Sequence, residues 1–257
     1  MNRAYWRVLV VYLPQALVAG RKKLGWRGVW LALCTFLFRG MPFPVRVQPH
    51  MHLSRWHEAV NYMDNFILGE LEVEEIEAML RTTPGQVIEV GVNIGVTTRW
   101  WLGLNPQVEV VGVDMIQEAL DTTTRHLEAV KMAGRWQAVL GAVGDAPGSM
   151  EIHFDDPLEG TNSLDKASGS QARTIEVNTL DAYLERARLH QPLLLKLDIE
   201  GHAAAALRGA ARILSQVRWV VIETHHRDEL CQCADLLTQH GYHLRHFHGR
   251  TMAWRRG

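Results

Sequence analysis

The chain has 257 residues, 47% hydrophobic and 21% charged, which suits one α/β domain with an extension or at most two small domains. Its net charge is −1, yet nine Lys or Arg precede the first carboxylate, Glu58, which leaves −10 for the remainder. A basic head on an acidic body points to an anionic partner for the head, and the body shows no sign of binding nucleic acid. The three cysteines, Cys34, Cys231 and Cys233, are too few for a disulfide framework, and the C-x-C lacks the second pair a zinc site wants; the expected compartment is a reducing cytoplasm.

Two apolar runs, Val8 to Ala19 (broken at Pro14 and Gln15) and Gly28 to Phe38, flank Arg21-Lys22-Lys23. Neither reaches the roughly 18–20 residues of a spanning helix. Trp6, Trp26 and Trp30 lie near their ends, as at a lipid headgroup boundary. Residues 1–53 therefore read as a basic, apolar extension. Residues 1–40 within it would form a monotopic anchor or re-entrant hairpin, peripheral on the inner face of the cell membrane. Two alternatives stay open: a cleaved signal peptide with Arg3 and Arg7 as its charged start, and a helix pair that merely covers the rest of the protein. Met41 to Leu53, rich in Pro and His, reads as a linker.

Residues 54–257 are expected to form one α/β domain. Helical patterning runs from Ser54 to Leu80 with a break near Gly69. From Gly85 strands and helices alternate: a strand at Val87–Val90, a helix at Val96–Leu102, a strand at Val108–Val113, a helix at Gln117–Met132 and a strand at Trp136–Val143. Met150–Phe154 and Arg173–Val177 read as extra strands around a polar loop, Asp155 to Gln171, of the kind that often covers a substrate. A strand at Leu193–Asp198, a helix at Ala203–Leu214, a strand at Val217–Glu223, a helix at Asp228–His240 and a terminal hairpin complete the chain. The alternation predicts a doubly wound, Rossmann-like parallel sheet.

Chemistry concentrates first at Glu89-Val90-Gly91-Val92-Asn93-Ile94-Gly95. Glycines there let the backbone turn sharply and come close to a ligand, and the following helix aims its free amides at it. Asp114, ending the next strand, can accept from both hydroxyls of a ribose. A dinucleotide oxidoreductase wants G-x-G-x-x-G, and Asn93 stands where its second glycine would be. Glu89, two residues before Gly91, opposes a pyrophosphate and suits a cationic ligand with an amino acid tail. S-adenosyl-L-methionine, with its sulfonium and ammonium, fits that charge. Glu89, Gly91, Asn93, Gly95 and Asp114 are the expected cofactor-binding residues, with Met115 and Ala142 lining the adenine.

The second concentration is Lys196-Leu197-Asp198-Ile199-Glu200-Gly201, where charged residues alternate with apolar ones as a buried strand ends. Such a placement is unfavourable without a ligand or mutual pairing. Together with the glycine loop, Asp114, the Ala142-Val143-Gly144 turn with Gly148, Asn162-Ser163-Leu164, Thr179-Leu180-Asp181 and Leu207-Arg208-Gly209-Ala210, it resembles the FkbM family of class I methyltransferases over Gly85 to Glu223. The resemblance implies a seven-stranded sheet and S-adenosylmethionine-dependent O-methylation of a hydroxyl on a sugar, polyketide or related secondary metabolite, and the expected anchor extends the acceptor to a glycolipid or other lipid-linked glycan. The sequence departs from the family at Val92 and at His202, where the family usually carries alanine.

Methyl transfer to a hydroxyl needs positioning and a base for the departing proton. Asp198, Glu200, His202 and His225 are the candidate base or acceptor-orienting residues, and Lys196 is expected to pair with a carboxylate. Asp198, Glu200, His202, His225 and His226 are suitable metal-ligand types, but no compact spacing joins them, so no metal is expected. Competing readings are an NAD-dependent oxidoreductase and a non-catalytic, membrane-associated scaffold of the same fold.

Overall fold

The computed structural model describes residues 8–71, 73–158 and 170–257. Arg3, Trp6 and Arg7, and the Asn162-Ser163-Leu164 motif with most of its polar loop, lie outside the described residues. The chain divides into two compact units, Met1–Glu72 and Val73–Gly257.

In the first unit a π-helical turn at Val8–Tyr12 leads into α1 (Leu13–Leu24), and Gly25 reverses the chain into α2 (Trp26–Ala32), which continues as a π-helical segment at Leu33–Phe38. Pro14 is the second residue of α1, directly after the π-helical turn. Both apolar runs are therefore helical, joined at a tight turn. The stretch read as a linker is instead a hairpin, β1 (Val45–Gln48) against β2 (Met51–Leu53). Its cause is a short alternation: Val45, Val47, Met51 and Leu53 are buried while Arg46 and His52 face outward. α3 (Trp56–Tyr62) follows, started by the Glu58 carboxylate, which accepts from the backbone amides of Ser54 at 2.7 Å and Arg55 at 3.0 Å.

The second unit opens with α4 (Glu74–Thr82), then β3 (Gly85–Val90), α5 (Val96–Leu104), β4 (Val108–Asp114), α6 (Gln117–Ala129) and β5 (Trp136–Leu140). The chain then leaves this sheet for a small one built from β6 (Ala142–Gly144), β7 (Gly148–Phe154) and β8 (Gln171–Thr179). It returns through α7 (Leu180–Glu185), β9 (Pro192–Leu197), α8 (Ala203–Arg208), α9 (Ala211–Leu214), β10 (Trp219–Glu223), α10 (Arg227–Gln239), β11 (Tyr242–His248) and β12 (Thr251–Arg256). The main sheet has seven strands in the order β5-β4-β3-β9-β10-β12-β11. β12 alone runs antiparallel to its neighbours. β3 is buried along its whole length, as a central strand covered on both faces must be.

The doubly wound sheet is the one expected. From β3 the chain winds outward to β4 and β5, then crosses back to lay β9 on the other side of β3. That reversal opens a crevice at the carboxyl ends of β3 and β9, where such sheets bind ligands. Two expected elements are interrupted. The strand expected at Trp136–Val143 breaks at Gly141, where a side-chain carbon would stand 2.1 Å from the Tyr183 hydroxyl, and its second half joins the small sheet. The helix expected at Ala203–Leu214 breaks at Gly209, where a side-chain carbon would stand 2.3 Å from the Gly144 carbonyl.

Candidate cofactor and acceptor site

Gly91 leaves β3 with φ of +81°, and a side-chain carbon on it would lie 1.8 Å from the Asp198 carbonyl oxygen. The Asp198 amide in turn donates to the Val90 carbonyl at 3.0 Å, so the ends of β3 and β9 stay paired up to the loop. Asn93 is also left-handed, at φ of +51°, a conformation its short polar side chain tolerates. Asp114 clamps the loop from the end of β4: Oδ2 accepts from the amides of Val92 and Asn93, both at 2.9 Å, and Oδ1 accepts from Ile116 at 2.9 Å. Burial pushes this carboxyl above the usual range, against the pull of those three amides. Oδ1, with one amide bond, keeps acceptor capacity for a ligand hydroxyl.

Glu89 is fully buried. Its carboxylate accepts from the Thr97 hydroxyl and, at 2.6 Å, from the Thr98 hydroxyl, both in the first turn of α5, and Lys196 Nζ stands 3.6 Å away. Burial raises the carboxyl above its ordinary range, opposed by Lys196 and the two hydroxyls. These contacts tie the last turn of β3 to the start of α5. Beyond Asp114, Ala142 is buried with Ile116, Ala119, Phe154 and Ile175, and Met115 packs against this group. That is an apolar shelf of the kind a purine ring covers.

Charged groups gather at the ends of β9 and β10. Lys196 is buried and reaches Asp198 Oδ2 at 3.1 Å. Desolvation pushes the Asp198 carboxyl up, but the charge and hydrogen bond of Lys196 outweigh it and hold the group below the usual range. Glu223 ends β10 beside Asp198, because the parallel register sets Val221 against Lys196 and Ile222 against Leu197. One ligand atom from each of Asp198, Glu223 and His225 lies within 4.8 Å of the others. His225 Nδ1 stands 3.2 Å from Glu200 Oε2. Arg250 Nη2 reaches Glu223 Oε1 at 2.7 Å, and its Nη1 lies 3.3 Å from His225 Nδ1. The Glu229 carboxylate accepts from the amides of Ala203 and His225, each at 2.9 Å, and so fixes the backbone that carries His225.

Of the residues the sequence singles out, Gly91, Asn93, Gly95 and Asp114 make one loop-and-clamp, and Asp198, Glu200, His225 and Lys196 make one charged cluster. His202 opens α8, where its amide donates to Ile199 at 3.1 Å, and His226 precedes α10. Glu223, Arg250, Thr97 and Thr98 escaped sequence reasoning as site residues. Glu223 alone had a readable signal, as an acid ending the strand next to the one that Asp198 ends.

The domain described as "Methyltransferase FkbM domain" matches residues 89–244, more than half of the chain. A curated relative, hexuronic acid methyltransferase AglP of Haloferax volcanii, is 29% identical over 82 residues, which cover 32% of this chain and 34% of that enzyme. The chain thus spans about a third of that relative's length. Among solved structures, the METTL16 MTase domain superposes with a TM-score of 0.49 at 11% identity, covering 99% of this chain and 90% of that one. An O-methyltransferase family protein from Burkholderia thailandensis gives 0.46 at 13% identity, covering 79% and 60%.

Proposed function

Because the chain belongs to the FkbM family of S-adenosylmethionine-dependent methyltransferases, we propose that it is an O-methyltransferase acting on a hydroxyl of a glycan or glycolipid. The observation that carries this reading is the junction of Gly91 with the Asp198 carbonyl. That close approach supports reading the glycine loop as the donor side of the site and the neighbouring carboxylates and imidazole as its acceptor side. The partial likeness to a hexuronic acid methyltransferase supports a sugar acceptor.

When bound, S-adenosylmethionine supplies an electrophilic methyl group on a sulfonium. The residues that would hold it are Gly91, Asn93 and Gly95 along the loop, Asp114 at the ribose, and Met115 and Ala142 against the adenine. Glu89 braces the start of the loop through Thr97 and Thr98 and would act on the amino acid tail from beneath it. Asp198, Glu200 and His225 orient the acceptor hydroxyl and take its proton, with His202 at the head of α8 bordering the acceptor. Lys196 keeps Asp198 ionised, and so able to accept a hydrogen bond from the acceptor.

The first unit presents exposed Lys22, Trp26, Arg27 and Phe38 on its helical hairpin. That combination supports peripheral contact with an anionic membrane surface, where a lipid-linked acceptor would be found. Among the described residues no helix is long and apolar enough to cross a membrane.

The test is calorimetric titration of the full chain with S-adenosylhomocysteine and with NAD, followed by mass spectrometry of uronic-acid oligosaccharides incubated with the methyl donor. Binding of S-adenosylhomocysteine alone, lost in Asp114→Ala, and a 14-dalton gain (about one methyl for one proton, the product of hydroxyl attack) on the sugar are expected. Binding of NAD alone would sink the proposal, and donor binding without transfer to any acceptor would favour a scaffold.

A further inference from the structure

Four carboxyl groups and two cations gather around the ends of β9 and β10. Glu89, Asp198, Glu200 and Glu223 face Lys196 and Arg250, and Lys196 is shared between Glu89 and Asp198. Within it the His225 side chain is 8% exposed, and its Nε2 has no hydrogen-bond partner although it lies only 4.0 Å from Glu223 Oε1. A buried imidazole nitrogen with nothing to bond is costly, and one that lies 4.0 Å from a carboxylate oxygen is placed to share a cation with it.

We propose that Asp198, Glu223 and His225 bind a divalent cation at the ends of β9 and β10. Two carboxylates and one imidazole, each able to bring an atom within 4.8 Å of the others, form a donor set suited to Mn²⁺ or Zn²⁺. His225 is oriented for it from behind. Its Nδ1 stands 3.2 Å from Glu200 Oε2 and 3.3 Å from Arg250 Nη1; with the proton on Nδ1 it donates to Glu200, the arginine contact gives way, and the lone pair of Nε2 faces the cluster. Metal-bound histidines are held in this way, with the second nitrogen donating to a carboxylate. Arg250, 59% exposed along its side chain, now covers Glu223 from the solvent side, and the ion takes its place on that oxygen. No spacing in the sequence announces the site, because its ligands come from two separate strands and meet only in the folded sheet.

The use of the ion rests on the function proposed above. An acceptor hydroxyl oxygen joining the coordination sphere would be aimed at the donor methyl and made more acidic. Binding of the ion does not depend on that use, so it is tested alone. Full-length protein stripped with EDTA is titrated with MnCl₂ without donor, and free Mn²⁺ is followed by electron paramagnetic resonance. One ion per chain is expected. Glu223→Gln and His225→Gln should each weaken binding by more than about tenfold, and Glu200→Gln, which only releases the orienting contact, by about tenfold. Arg250→Met, at an exposed position, should tighten it, a direction opposite to that of a simple structural ion pair. Absence of bound Mn²⁺ in the wild-type chain, equal binding in Glu223→Gln and His225→Gln, or weaker binding in Arg250→Met overturns the proposal. Titration of the same samples with S-adenosylhomocysteine separates the two ideas: donor binding without metal removes the ion and leaves the methyltransferase.

Discussion

A side chain at position 91 would have to pass through the Asp198 carbonyl, 1.8 Å from its first carbon. That carbonyl is not free to retreat, because the Asp198 amide is bonded to Val90 at 3.0 Å across the two central strands. Gly91→Ala also forces alanine into φ of +81°, which alone costs about 1–2 kcal/mol. The sum should exceed about 2 kcal/mol of stability and displace the loop, so that S-adenosylhomocysteine binding falls together with the denaturation midpoint. Gly148→Ala is the control: nothing lies within 4 Å of its added carbon, and its change should stay within about 0.5 kcal/mol. Equal losses at the two positions would contradict the close approach of β3 and β9. At this scale the sequence showed which residues matter better than it showed what they touch. Asp181, picked out within Thr179-Leu180-Asp181, turns out to start α9 by accepting from the amides of Arg212 at 2.7 Å and Ile213 at 3.0 Å. Thr179 starts α7 by accepting from Ala182 at 3.2 Å. A motif can thus be conspicuous because it caps two helices, with no chemistry attached.

Between elements, the small sheet is tied to the main one by a forked ion pair. Arg173 on β8 reaches Glu118 in the first turn of α6 at 2.7 and 2.9 Å. Its hydrogen bonds hold the Glu118 carboxyl below the usual range. A carboxyl depressed on folding lends stability above its unfolded value and loses it as pH falls through its folded value. Both side chains are more than a third exposed, so Glu118→Gln should cost only about 0.5–1 kcal/mol at pH 7. That difference should shrink as the pH drops toward about 4 and below, read from urea denaturation of both proteins across the range; a gap undiminished at the acid end would contradict the pairing. Buried strands were plain in the sequence, since β3, β4, β9 and β10 are apolar runs with few other uses. The breaks at Gly141 and Gly209 were not, because what demands glycine at each is a partner distant in sequence, the Tyr183 hydroxyl and the Gly144 carbonyl. Nor was the β1–β2 hairpin, whose strands of four and three residues are too short to show a period amid proline and histidine.

The whole molecule carries its charge unevenly, and its basic part also exposes apolar side chains. In the first unit Val10, Val18, Trp26 and Phe38 are exposed, and exposed Arg21, Lys22 and Arg27 lie along the same hairpin. The Arg21 guanidinium stacks 3.8 Å from the Trp26 ring, which holds a cation and an aromatic face together, as at a headgroup layer. Each basic residue close to an anionic surface contributes about 1 kcal/mol, within a Debye length of roughly 10 Å at 0.1 M salt. Lys22→Gln with Arg27→Gln should therefore weaken partition onto phosphatidylserine vesicles by about thirtyfold, and added salt should do the same to the unaltered chain. Trp26→Ala should instead weaken binding to phosphatidylserine and phosphatidylcholine vesicles alike, since it removes apolar contact and leaves the charge. Co-sedimentation with the two vesicle types distinguishes these effects. If the unaltered chain ignores phosphatidylserine at low salt, the basic and apolar residues of the hairpin serve some other contact, and the glycolipid part of the proposed acceptor loses its support while the sugar part keeps its own.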